Sequence, residues 1–226
     1  MTEDEIISQV RFRLDEEDAF SDYVSGYMDN IIKACISDAL RWVCLYANAS
    51  LLLPSSSTEE SPCIKSYELS YDEDAKVYDD GTKIVGNVIT LPYSFLRVLR
   101  VRATSWSKGV SRTISEDSEE YLMQYDATSG STEINPRVAE IISIPQTLEL
   151  FPAPSEDDTV YLVIAVEPSS SKSASETTWN IPKKVEGAFL YYLAYLVMVA
   201  YNDTTKAQGM LSAAKMELAT TAQASS

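Results

Sequence analysis

Residues 187–202 carry no charged side chain and are apolar on every helical face. Phe189, Tyr192, Leu193, Leu196, Val197 and Ala200 recur along one side, and Leu190, Tyr191, Tyr195, Met198 and Val199 make the other side apolar as well. Such a helix has no face to give to water, so its own domain, a partner or a membrane must cover it on all sides. The run is short for a bilayer span and includes four tyrosines, which favours a buried helix. Trp179-Asn180-Ile181-Pro182 is expected to open it, proline being tolerated in a first turn whose donors are unpaired anyway.

The other helices are candidates for the cover. Thr2 and Glu5 have capping-box spacing, and Ile6, Ile7, Val10 and Leu14 follow at helical intervals until the acidic run 15–18 interrupts them. A longer helix is predicted over residues 22–47. It buries Met28, Ile32, Cys35, Ile36, Ala39, Leu40, Val43 and Tyr46, with Asp29 and Lys33 outside. A last helix, over residues 206–221, is alanine-rich and weakly amphipathic. Between the helical ends the character changes at two serine-rich stretches, 54–62 and 169–178. Short apolar runs there alternate with turn signals. Strands are predicted over 64–70, 83–90, 96–106, 147–150 and 160–167, with a brief helix over 115–124 and a tight turn at Asp80-Gly81. The order points to an α+β fold, a helical bundle formed by the N- and C-terminal helices (residues 1–53 and 179–226) with an inserted antiparallel β domain (54–178).

Charge and residue types narrow the chemistry. With 34 acidic against 18 basic residues the net charge is −16, and there is no histidine. Binding to a phosphate backbone draws on Lys and Arg, so nucleic acid is disfavoured as a bound partner. Imidazole-based acid–base, relay and metal-ligand chemistry is removed outright. Cys35, Cys44 and Cys63 form no CxxC pair and read as reduced thiols, and the acidic start lacks the basic flank of a secretory signal. Asp72, Glu73, Asp74, Asp79 and Asp80 crowd one stretch without the residue order of a calcium loop. They read as a solvated acidic turn, with a cation site as the alternative. No catalytic, cofactor-binding or metal residue is singled out and no cofactor is expected. A carboxylate-dependent glycoside hydrolase and a β-rich ligand-binding module with helical flanks stand as alternative readings.

The cations are the sharper signal. Arg97, Arg100, Arg102, Lys108 and Arg112 run with no acid between them, and Arg100 and Arg102 share a strand face. They form either the polar outside of a strand or a dock for an acidic neighbour. Lys183 and Lys184 fall in the first turn of the apolar helix, where the dipole disfavours cations unless acids across an interface meet them.

Three motifs occur in order: Asp38-Ala39-Leu40-Arg41-Trp42, then Leu91-Pro92-Tyr93-Ser94-Phe95-Leu96-Arg97-Val98-Leu99-Arg100-Val101, then Leu148-Glu149-Leu150-Phe151-Pro152-Ala153-Pro154. Ile181-Pro182 and Tyr191-Tyr192-Leu193-Ala194 follow them. In this order the chain resembles the head-to-tail adaptor proteins of short-tailed bacteriophages, known as tail tubular protein A or portal adaptors. The ring proteins of crAss-like phages fit the same order. The resemblance implies a structural virion protein without chemistry, built as a dodecameric ring beneath the portal and prolonging the DNA channel. It implies the portal protein, neighbouring copies of the chain and a downstream tail or nozzle protein as partners. DNA would pass through without being specifically bound, with no membrane involved. The location implied is the head–tail junction of the virion, assembled in the host cytoplasm. On this reading the subunit interface is expected at Arg97, Arg100, Arg102, Lys183, Lys184, Tyr191 and Tyr195. Portal docking is expected at Lys206, Met210, Lys215 and Met216.

Overall fold

A computed structural model describes residues 1–14, 22–52, 63–70, 77–123, 135–155, 157–172 and 177–224. The acidic run 15–18, the serine-rich stretch 54–62 and the acids Asp72, Glu73 and Asp74 lie outside the described residues. In chain order the elements are α1 (Glu3–Arg13), α2 (Asp22–Tyr46), α3 (Ala49–Leu52), β1 (Ile64–Ser70), β2 (Lys83–Val85), β3 (Val88–Thr90), β4 (Phe95–Ala103), β5 (Ile114–Ser115), α4 (Glu119–Met123), β6 (Arg137–Ile141), β7 (Thr147–Phe151), β8 (Thr159–Val166), β9 (Ser171–Lys172), β10 (Thr177–Thr178), α5 (Glu186–Ala200) and α6 (Thr204–Ala224). The class is α+β, with terminal helices flanking a β region. The chain divides into two compact units, Met1–Ile64 with Glu167–Ser226, and Lys65–Val166.

The first unit is organised around α5. Its Phe189, Leu190, Leu193, Ala194, Val197 and Met198 are buried, and α1, α2 and α6 all pack against it. Its own unit therefore supplies much of the cover demanded by an all-apolar helix but not all of it: Tyr191, Tyr192, Tyr195 and Leu196 are half-buried and Val199 and Ala200 exposed. No helix among the described residues is long and apolar enough to cross a membrane. The capping box of α1 forms as the sequence requires: Glu5 N–H donates to Thr2 Oγ1 (3.1 Å) and Thr2 N–H to Glu5 Oε2 (2.9 Å). Ile6, Ile7, Val10 and Leu14 are buried. Asp29 and Lys33 tie α2 to α1, through Arg11–Asp29 at 2.6 Å and Lys33–Glu3 at 3.6 Å. The α2 stripe is as expected except at Cys35, which is only half-buried, and at its end, where Tyr46 is 68% exposed.

The two ends of α5 differ in how they are made. Pro182 does not enter the α-helix: a separate 3-10 turn, Lys183–Val185, intervenes, and the helix begins at Glu186. Val185, with ψ near zero, breaks the hydrogen-bond ladder there. Asn202 closes the other end. Its φ of 59° is one that asparagine tolerates better than most residues, and it turns the chain so that Asp203 N–H reaches Met198 O (3.0 Å). Asp203 then caps α6, Oδ1 accepting from Lys206 N–H (3.0 Å). One αL residue and one cap thus join α5 and α6, and α6 lies against α5 with Ala207 and Ala214 buried.

The second unit is a two-sheet sandwich. One sheet has the order β1-β8-β4, the other β2-β3-β7-β6-β5. Their inner residues form one core, including Leu69, Ile89, Val101, Trp106, Leu148, Leu150, Leu162 and Ile164. The predicted strand 83–90 is a hairpin: Ile84 pairs with Ile89 and Val85 with Val88, and Gly86 takes the positive φ (60°) that the two-residue turn requires. β6 was not anticipated. Nor was β5, which pairs parallel to β6 (Ile114↔Ala139) in a sheet otherwise antiparallel. A parallel neighbour needs a long crossover, and the stretch between β5 and β6 that contains α4 supplies it. The second serine-rich stretch is likewise not all loop, since β9 and β10 pair within it.

Candidate functional site

The cation run is placed by the irregular register of β4. This strand pairs antiparallel with β8 and slips between Phe95 and Arg97 and again between Val98 and Arg100. The second slip lets Val98 and Leu99 both be buried, after which alternation resumes: Arg100 out, Val101 in, Arg102 out, Ala103 in. Arg97 is half-buried before that slip and is separated from the exposed pair. Arg100 and Arg102 stand opposite Val163 and Tyr161 of β8. On the other side the chain folds back, and Val110 and Val101 exchange backbone hydrogen bonds of 2.7 and 2.8 Å. This brings Gly109 against the arginines. A Cβ there would sit 3.1 Å from Arg100 Nε and 3.3 Å from the Val101 carbonyl oxygen, a tight fit that a larger residue could take only if the Arg100 side chain shifted. Lys108 and Arg112, also exposed, flank the fold-back.

Two carboxylates lock the loops of this unit. Asp158 is 5% exposed and accepts from the Thr104 hydroxyl (2.7 Å), from Ser105 N–H (2.8 Å) and hydroxyl (2.6 Å), and from Ser155 N–H (2.7 Å) and hydroxyl (3.0 Å). Desolvation raises its pKa, but hydrogen bonds from Ser105, Thr104 and Ser155 outweigh that and hold the carboxyl well below its ordinary range. Asp80 binds Lys65 Nζ (2.8 Å), the Tyr67 hydroxyl (2.7 Å) and Thr82. Against desolvation, these donors lower its pKa to about 2. Asp80 is thus part of a hydrogen-bonded turn, and no metal-holding cluster exists among the described residues.

The sequence-expected residues of the first unit are distributed. Lys183 and Lys184 are exposed on the 3-10 turn. The Arg13 guanidinium lies over the Tyr191 ring at 5.1 Å. Tyr195 belongs to an aromatic row in which Trp42 stacks on Tyr192 (4.1 Å) and Tyr46 and Tyr195 flank the pair. Burial, followed by Tyr195, Tyr46 and Asp38, raises the Tyr192 pKa. On α6, Lys206, Lys215 and Met216 are exposed while Met210 is half-buried. The structure therefore makes α6 a helix of the bundle, with an outer face, rather than a detached arm. Trp106 and Trp179 are buried, so neither lines an open ligand groove.

Sequence reading missed Asp158, the Trp42–Tyr192 stack and three exposed apolar side chains, Tyr93, Ile142 and Ile144, which are 85%, 82% and 92% exposed. The two isoleucines carried a readable signal, because Ile141-Ile142-Ser143-Ile144-Pro145 is a largely apolar run ending in a turn residue between β6 and β7. Ser155, three positions before Asp158, is its one local partner; Thr104 and Ser105 reach it from a distant part of the chain.

Comparison with known proteins gives one finding. The model of a family described as SU10 adaptor protein matches the chain over residues 1–226. A search of curated proteins gave no match.

Proposed function

Because the chain belongs to the SU10 adaptor protein family, we propose that it is a structural virion protein whose copies form a ring, dodecameric in count, between the portal and the tail. The match along the whole chain is the observation that carries this reading. An adaptor of a phage works by contact with other head and tail proteins, and its role is structural rather than enzymatic. The finer assignment has three parts: neighbouring copies meet through Arg97, Arg100, Arg102, Lys183, Lys184, Tyr191 and Tyr195; the portal receives the outer face of α6 at Lys206, Met210, Lys215 and Met216; a downstream tail or nozzle protein is the third partner. DNA slides through the channel, and a net charge of −16 supports passage without sticking, since like charge opposes phosphate contacts. Membership of the crAss-like ring group belongs to the same reading and rests on the motif order alone.

The test is assembly on the portal. Purified chain is mixed with portal rings of the same virion and imaged by electron microscopy. A closed ring of this chain stacked on the portal is the expected result. Portal rings that stay bare, with the chain folded and in excess, overturn the reading.

A further inference from the structure

We propose that the outer face of β4 docks the acidic turn before and within α4 of a second copy of the chain, Arg100 and Arg102 of one copy meeting Glu119 and Glu120 of the next. The proposal rests on the ring reading and names the contact that would close it. Arg100 and Arg102 are exposed on one sheet face, with Gly109 close on one side and Tyr161 opposite Arg102 on the other. Among the described residues neither is in an ion pair. In a chain with 34 acids, two neighbouring arginines with no carboxylate partner among the described residues form a cationic surface that stands out.

The complementary surface lies a few residues on. Glu116, Asp117, Glu119 and Glu120 stand within five positions, the last three exposed, and none is in an ion pair among the described residues. Asp117 accepts the Ser115 hydroxyl and shapes the turn, leaving Glu119 and Glu120 to face outward. Charge complementarity of this kind steers encounter and sets register more than it adds affinity. The two patches are different surfaces, so each copy gives one and receives the other. Such a heterologous contact propagates around a ring when its rotation closes. A phosphate backbone would also match arginines, but the surrounding net charge of −16 disfavours it.

Charge exchange tests the pairing. The variants R100E/R102E and E119R/E120R are each expected to self-associate about 100-fold more weakly than the parent chain in sedimentation velocity over a concentration series, since like charges then face one another. Mixed in equal amounts, they are expected to recover association to within about tenfold, because every contact in an alternating assembly is again complementary. Recovery also shows that both variants are folded. The proposal is overturned if either variant alone associates like the parent, or if two variants of unchanged circular dichroism fail to recover on mixing. Salt-sensitive binding of duplex DNA by the parent, lost in R100E/R102E, assigns the arginines to phosphate and overturns it too. A parent chain that stays monomeric at every concentration and leaves portal rings bare refutes the ring reading itself, an outcome distinct from failed recovery.

Discussion

Replacing Asp158 by alanine removes an acceptor of five hydrogen bonds and leaves the Ser105 and Ser155 N–H groups without their partner. Hydrogen bonds to a charged group contribute about 1.5–3 kcal/mol each when one is deleted, but a shared acceptor is not additive, and water can enter the space left behind. A net loss of about 3–4 kcal/mol follows, which lowers the melting temperature by about 6–16 °C in a chain of this size. Asp158→Asn keeps the shape and one acceptor oxygen, so about half of that loss is expected. The pH dependence supplies a second readout. The folded carboxyl has its pKa below the unfolded value of about 3.9, so its stabilisation is complete above that pH and is lost as pH falls toward the folded pKa. The gap between parent and Asp158→Asn should therefore be full at neutral pH and shrink steadily below about pH 4. Urea unfolding followed by circular dichroism at neutral and acid pH measures both. A loss under about 1 kcal/mol for Asp158→Ala, or a gap that does not change between the two pH values, refutes the assignment of Asp158 as the ionised lock of these loops.

Asp80 gives a similar acid-side dependence over a narrower range: its pKa of about 2 places the loss between about pH 4 and 2, and Asp80→Asn should remove that part of the titration of stability. Asn202→Gly should be neutral or stabilising by under about 1 kcal/mol, and Asn202→Val should cost about 1–2 kcal/mol in thermal melts, because valine is strained at φ 59°. Phe189→Ala should cost about 3–5 kcal/mol, read by chemical denaturation, since this ring is wholly buried inside the bundle. K215E combined with M216D alters only exposed positions of α6, so the melting temperature should hold while capture by portal rings is lost; unchanged capture would remove the outer face of α6 from the docking surface.

The helical part of the fold was readable because its rules are local or periodic. The Thr2–Glu5 box, most of the stripe of α2 and the uncharged run of α5 each follow from spacing along a single segment and appear at their place, Cys35 and Tyr46 of the stripe excepted. The strands β1, β4, β7 and β8 were readable for the same reason, β1 with both ends in place and the others with ends shifted by at most three residues. The run 83–90 was read as one strand although Gly86-Asn87 marked a turn in its middle. Placement of the cations was only half readable. Arg100 and Arg102 share a face by period alone, but the slips that part Arg97 from them, and the fold-back that sets Gly109 against them, depend on pairing with distant residues.

Composition and hydrophobic period already require that one helix be mostly covered, exclude histidine chemistry and place two helical ends around a β-rich middle, because both are properties of the unfolded chain as much as the folded one. Which helices pack on α5, which carboxylates are buried and how a parallel strand enters an antiparallel sheet follow instead from contacts between segments far apart in the chain. Asp158 shows the reason. Ser155 is three positions away, but three of the five hydrogen bonds to Asp158 come from Thr104 and Ser105, more than fifty positions away, and whether an aspartate is a solvated charge or a buried lock depends on such distant donors, which no local window of residues contains.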